Sequence, residues 1–270
     1  MHNWIHRALS AIIDDMSDTA SNYLLFAGEN NEPEIFYTIE GEGRYVGYPS
    51  VFLRLFGCNL TCAGFASKSS PFGCDSYLSW SKKNKLSFDD LFKLLEDKGY
   101  IQHLFRGAIL KITGGEPLLR QQPLLEFIKL FAIKYQFVPR IDFETNGTIM
   151  PDPEWVDIFS ATFTTSPKLS NNGDPIDKRY NPEVLQFHVA NNSCFKFVVS
   201  NSENIDEILK NYINHPDIKL PSSLVWLMPC CGSREEHTAA ITYVADICKE
   251  YNFKLSPRLH LVVWDKALRV

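Results

Sequence analysis

The chain has 270 residues, of which 45% are hydrophobic and 22% charged, and its formal net charge is -5. That balance suits a globular protein with one large core and lacks the basic face that broad nucleic-acid binding requires. Seven cysteines are odd in number and too sparse for a secreted disulfide scaffold, so free or metal-binding thiols in a reducing cytoplasm are expected.

No apolar run is long enough to span a bilayer. The apolar stretch Ala8 to Ile13 is followed at once by Asp14 and Asp15, so no signal peptide is expected. Trp4, Ile5, Ala8, Leu9, Ile12 and Ile13 recur at helical spacing. Residues 1–30 therefore read as a helical extension ending in a polar linker at Asn30-Asn31, ahead of one domain over residues 31–270.

From residue 50 the chain alternates. Ser50 to Leu55 is a buried-strand candidate. Ser87 and Asp90 form a helix-opening pattern, Phe88, Leu91, Phe92 and Leu95 follow at helical spacing, and Gly99 closes the helix. A strand over 108–113 precedes a helix over 122–135 with Pro123 in its first turn. A strand over 140–144, a short helix over 153–159 and a strand over 161–165 come next. A helix over 181–190, a strand from Cys194 to Val199 and a helix from Glu203 to Tyr212 capped by Ser202 follow. A strand from Leu224 to Leu227, a helix over 234–250 and a strand from Phe253 to Leu255 complete the series. This alternation implies an α/β fold with mainly parallel strands.

In such sheets ligands sit at the carboxyl ends of the strands. Those ends carry Gly57-Cys58, Gly114-Gly115-Glu116, Glu144-Thr145-Asn146-Gly147, Ser166-Pro167-Lys168 and Met228-Pro229. Cys58, Cys62 and Cys74 can hold three irons of a cubane cluster and leave the fourth open. Zinc is the competing reading, but His103 is the nearest downstream histidine and stands alone. Gly114-Gly115 admits close backbone approach of a ligand, and Glu116 at a strand end is placed to accept from an ammonium group. Arg54 would be costly if buried unpaired; an anionic substrate would pair it, and so would Glu34, Glu40 or Glu42.

The cysteines, the Gly114-Gly115-Glu116-Pro117 loop and the alternation resemble the radical S-adenosylmethionine superfamily, whose fold is a partial (β/α) barrel. Within it, EIFYTIEGEG, the GCNLTC–CDS region, TGGEP, ETNGT, SPK and SPRLH resemble the 7-carboxy-7-deazaguanine synthases, across residues 33–270. The resemblance implies a 4Fe–4S cluster on Cys58, Cys62 and Cys74, with S-adenosylmethionine on its open iron. Gly115, Glu116, Asn146, Ser166, Pro167 and Lys168 would line the S-adenosylmethionine site. Ile39, Glu40, Gly41, Glu42, Arg54, Thr113, His260 and the carboxylate of Val270 match substrate contacts. Ser76 matches a threonine that helps bind Mg²⁺. The implied reaction contracts 6-carboxy-5,6,7,8-tetrahydropterin to 7-carboxy-7-deazaguanine in queuosine-type biosynthesis. A reducing partner such as flavodoxin and a homodimer are implied with it.

Three departures stand out. Eleven residues separate Cys62 from Cys74, where the family has two. Glu40 stands where glutamine is common, and a carboxylate accepts but cannot donate. Cys230-Cys231 follows Met228-Pro229 in place of an acidic residue and glycine; with Cys194 and Cys248 they read as incidental thiols rather than a second cluster. A glycyl-radical activase and a non-catalytic zinc protein are the competing functions.

Overall fold

The computed structural model of the chain describes residues 22–28, 32–62, 74 and 82–267. The expected helix before residue 22, Ser76 and Val270 lie outside the described residues. In chain order the elements are β1 (Tyr23–Ala27), β2 (Ile35–Ile39), β3 (Pro49–Leu55), β4 (Lys83–Ser87), α1 (Phe88–Asp97), α2 (Tyr100–Phe105) and β5 (Ile109–Gly114). Then come α3 (Gln121–Tyr135), β6 (Ile141–Thr145), α4 (Glu154–Asp157), β7 (Thr162–Thr165), α5 (Ile176–Arg179), α6 (Pro182–Ala190) and β8 (Cys194–Val199). The series ends with α7 (Ser202–Ile208), β9 (Val225–Pro229), α8 (Arg234–Tyr251), β10 (Lys254–Leu255) and α9 (Leu259–Trp264).

The strands form one sheet in the order β10-β9-β8-β7-β6-β5-β3-β1-β4, with β2 on β3. From β3 to β10 each strand lies parallel beside the next one in the run, as in a partial barrel opened at its edges. β1, β2 and β4 are antiparallel additions. Tyr23–Ala27 is thus part of the sheet, although the sequence reading placed it in the extension. β1 pairs with β4 over five residues, and Leu24 and Phe26 are buried in the core. Long-range pairing gives this short segment its place, and local periodicity carries no sign of it.

Helix starts follow side-chain capping. Ser87 accepts from the Asp90 N–H at 3.1 Å, as its spacing predicts. Asn201, not Ser202, caps α7, accepting from the Asn204 N–H at 3.2 Å. The helix reads one residue earlier than expected because asparagine at that position already supplies the oxygen.

Period-two alternation sorts the strands into two faces. Val51, Leu53, Leu55, Leu110, Ile112, Ile141, Phe143 and Phe163 join Leu124, Phe127 and Ile128 of α3 in one core. Phe195, Phe197, Val225 and Leu227 join α7 and α8 residues in a second. The opposite face of the same strands carries Arg54, Lys111, Thr113, Asp142, Glu144, Thr164 and Lys196, in register with one another.

His188 of α6 is wholly buried among Phe163, Phe187 and Phe195, with Nδ1 3.1 Å from Ser193 Oγ. Burial lowers it from 6.5 to about 3. The unfolded chain takes up that proton near pH 6.5 and the folded chain does not. The associated stability is therefore full above pH 6.5 and is lost as pH falls toward 3. Between pH 6.5 and about 4.5 the native chain is expected to lose about 2 kcal/mol more than His188→Leu. Urea unfolding at both pH values measures this, and equal losses would contradict it.

Candidate active site

Two clusters of polar residues meet on and around the polar face. The first lies at the carboxyl ends of β3, β5, β6 and β7. Gly57-Cys58 follows β3, and the Glu116 N–H donates to Gly57 O at 2.8 Å. A Cβ on Gly115 would stand 2.3 Å from Gly57 O and 2.6 Å from Cys58 Cβ. One on Gly114, at φ +154, would stand 2.3 Å from Leu55 O. Packing therefore requires both glycines, Gly114 against β3 and Gly115 against the cysteine loop.

Glu116 is wholly buried and internally engaged. Its carboxylate accepts from Leu118 N, from Asn146 N at 2.7 Å, and from the Thr145 hydroxyl at 2.9 and 3.0 Å. Burial raises it to about 7, against those donors. It joins the turns after β5 and β6. Asn146 likewise donates to Asn59 of the cysteine loop at 2.8 Å and accepts from Thr148. Lys168 Nζ donates to Ser166 O and Oγ at 3.0 and 3.1 Å, while Pro167 is buried.

The cysteine loop supplies soft donors. All seven cysteines are free. Cys58 Sγ accepts from Leu60 N at 3.4 Å, and Cys62 Sγ accepts from Asn172 Nδ2 at 3.6 Å. Burial pushes the free Cys58 thiol up to about 11, so a bound metal would be needed to hold it as a thiolate; with two N–H groups aimed at half-buried sulfurs, this donor set fits a cluster of iron and sulfide. Among the described residues no three His, Cys, Asp or Glu side chains are gathered to hold a metal. Residues 63–73, which join Cys62 to Cys74, lie outside the described residues. His103, the zinc candidate, stacks on Tyr37 at 3.9 Å. Cys194, Cys231 and Cys248 are buried singly.

The second cluster lies on the polar face and joins the two ends of the domain. The turn after β2 carries Glu40-Gly41-Glu42, and the segment before α9 carries Arg258. Leu259 N donates to Gly41 O at 2.9 Å, and Gly43 N donates to Ser256 Oγ at 2.8 Å. A Cβ on Gly41 would stand 2.4 Å from His260 Nδ1, so glycine is what admits His260 here. Arg258 Nε meets Glu42 at 3.0 Å. Lys196 bridges Glu42 at 2.5 Å and Glu144 at 2.8 Å. Lys111 lies 2.7 Å from both Glu40 and Asp142 and 3.9 Å from Glu144.

Four carboxylates thus face three cations in a water-poor interior. Burial opposes every charge, and the partners decide each outcome. Burial would raise Glu42, yet Lys196 and Arg258 hold it well below its usual range. Burial would raise Glu144, yet Lys196 and Lys111 pull it down to about 2. Burial would discharge Lys111, yet Asp142 and Glu40 hold it well above its usual range. Glu40 is carried upward by burial against its ion pair with Lys111. Its Oε1 accepts from Glu42 N at 3.0 Å. The Glu40 side chain therefore pins its own turn, where the sequence reading had it accept from a substrate.

Arg54 is placed differently. Its Nε lies 4.0 Å from Glu34 and has no hydrogen-bond partner despite being buried. It faces the same side as Thr113, its register partner, whose hydroxyl lies 3.4 Å from Glu144. Ile39 ends β2 beside the turn. Lys111, Asp142, Lys196 and Arg258 were missed as site residues, and Glu144 was read only as part of a strand-end group. The available signal was a charge inside an otherwise apolar strand: Lys111 in ILKIT, Asp142 and Glu144 in IDFET, Lys196 in CFKFVV.

Among the described residues no helix is long and apolar enough to cross a membrane. No family model matches the chain. A 7-carboxy-7-deazaguanine synthase of Pyrobaculum aerophilum is 30% identical over 237 residues, covering 87% of this chain and 94% of that protein. One of Halobacterium salinarum is 30% identical over 255 residues, covering 87% and 90%. The crystal structure of QueE from Escherichia coli shares the fold, with a TM-score of 0.58 at 22% identity over 87% of this chain and 93% of that one. With that likeness running through nearly the whole domain, and with its first and last motifs meeting at Glu42 and Arg258, the chain belongs to the 7-carboxy-7-deazaguanine synthase family.

Proposed function

We propose that the chain converts 6-carboxy-5,6,7,8-tetrahydropterin to 7-carboxy-7-deazaguanine, with loss of ammonia, in queuosine-type biosynthesis. The observation that carries this is Arg54. Its buried Nε lacks a hydrogen-bond partner and holds a loose ion pair with Glu34 at 4.0 Å, which suits the carboxylate of a small anionic substrate. Glu42, held ionised by Lys196 and Arg258, offers an acceptor to the N–H groups of a pterin. Thr113 and His260, with the backbone of Ile39 and Gly41, would complete the substrate site; Val270 belongs to the same reading. The charged pairs fix these groups before substrate arrives, so little reorganisation is needed on binding.

Cys58, Cys62 and Cys74 would hold a 4Fe–4S cluster, and Ser76 would help hold Mg²⁺. The loops bearing Gly115, Ser166, Pro167 and Lys168 would line an S-adenosylmethionine site, with Glu116 and Asn146 fixing the backbone around it. When bound, these groups supply radical hydrogen abstraction and Lewis-acid assistance. A flavodoxin-like reductant and a homodimeric assembly complete the reading.

The cysteine assignment has a direct test. Anaerobic reconstitution is expected to give the broad visible absorbance of an iron–sulfur cluster in the native chain and none in Cys74→Ala. An intact cluster in that variant would remove Cys74 from the ligand set.

A further inference from the structure

The loop after β7 carries a buried latch that the reaction described so far does not use. Asp174 accepts from the Thr61 N–H at 3.0 Å and from the Thr61 hydroxyl at 2.9 Å. Asn172 is wholly buried, and its Oδ1 accepts from Asp174 N at 2.9 Å. Its Nδ2 donates to Asp174 Oδ2 at 3.1 Å and to Cys62 Sγ at 3.6 Å. Arg179, itself buried, ties the latch to the neighbouring loops. Its Nε donates to Asp174 O at 3.2 Å, and Nη1 donates at 2.8 Å to both Lys168 O and Glu207.

An amide nitrogen has two hydrogens to give. One of Asn172's completes the turn with Asp174. The other points at the sulfur of Cys62, across 110 residues of chain, and plays no part in that turn. A thiolate bound to iron accepts such a bond, and hydrogen bonds to the sulfurs are among the factors that set a cluster's reduction potential. Donation favours the more electron-rich, reduced state.

We infer that Asn172 is a positioning residue for Cys62 whose N–H raises the reduction potential of the cluster held there, with Asp174 holding Asn172 and Thr61 in place. This rests on the reading of Cys62 as a cluster ligand. It assigns a role to residues outside the cysteine motif and the strand-end motifs.

The test uses the full chain, reconstituted anaerobically, as native protein, Asn172→Leu, Asn172→Ser and Asp174→Ala. Iron and sulfide per chain report loading, and an EPR-monitored reductive titration reports the potential. Asn172→Leu is expected to load iron and to show a more negative potential than the native chain. Asn172→Ser, the smaller replacement, gives the same reading should leucine not be accommodated. Asp174→Ala is expected to lose iron to a competing chelator about tenfold more readily. Native potentials in both Asn172 variants would overturn the inference while leaving the cluster assignment intact. A native chain that forms no cluster would overturn both.

Discussion

Lys111→Met is expected to cost about 3–5 kcal/mol of folding stability, read by urea unfolding of the metal-free chain. Lys111 is wholly buried in the polar face, 2.7 Å from Glu40 and 2.7 Å from Asp142. Methionine matches its length but leaves two buried carboxylates without their cation. The two are not equally exposed to that loss. Asp142 keeps the hydroxyls of Thr162 at 2.7 Å and Thr164 at 3.1 Å. Glu40 keeps only the Glu42 N–H. Adding Glu40→Gln to Lys111→Met is therefore expected to recover about half of the loss, since it removes the worse-placed orphan charge. A single-variant cost below about 1 kcal/mol would mean that water reaches the pair and that the interior is not dry.

Glu42→Gln is expected to raise the KM for the pterin about 100-fold, in line with breaking a buried charged contact. Formation of 5′-deoxyadenosine without substrate should fall far less. Glu42 sits where the two ends of the domain meet, holding Lys196 at 2.5 Å and Arg258 at 3.0 Å. Neutralising it leaves Lys196 to Glu144 alone and loosens Arg258 beside His260. Parallel losses in both readouts would show a general structural role in place of substrate recognition.

The sheet was legible because its strands and helices are locally consistent. Cys194 to Val199 is a run of β-branched and aromatic residues, and Ser87 with Asp90 announces α1 by a capping spacing that the fold uses as written. β1 and β4 were not legible, since KNKLS carries no strand pattern of its own and is held by pairing with Tyr23–Ala27. At the site, residue types pointed to the right places but not always to the right partners. Glu116 and the two glycines read as ligand-facing, and the sequence carries no sign that they also fasten β5 to the cysteine loop and to the turn after β6. Glu40 read as a substrate acceptor because its counter-ion, Lys111, lies 71 positions away and is joined to it only by the register of β3 and β5. Arg54 reads as pairing with a substrate or with a nearby glutamate, and the structure pairs it loosely with Glu34 at 4.0 Å while its Nε makes no hydrogen bond. Asn172 and Asp174 had no sequence signal, since asparagine and aspartate beside a glycine read first as a turn.

The most direct measurement is one anaerobic turnover with the reconstituted chain, a reductant, Mg²⁺, S-adenosylmethionine and 6-carboxy-5,6,7,8-tetrahydropterin, followed by mass spectrometry. The expected result is 7-carboxy-7-deazaguanine, with 5′-deoxyadenosine formed alongside. Formation of 5′-deoxyadenosine without that product would contradict the substrate assignment built on Arg54 and Glu42. Absence of both from a chain carrying a complete 4Fe–4S cluster would contradict the proposed reaction itself.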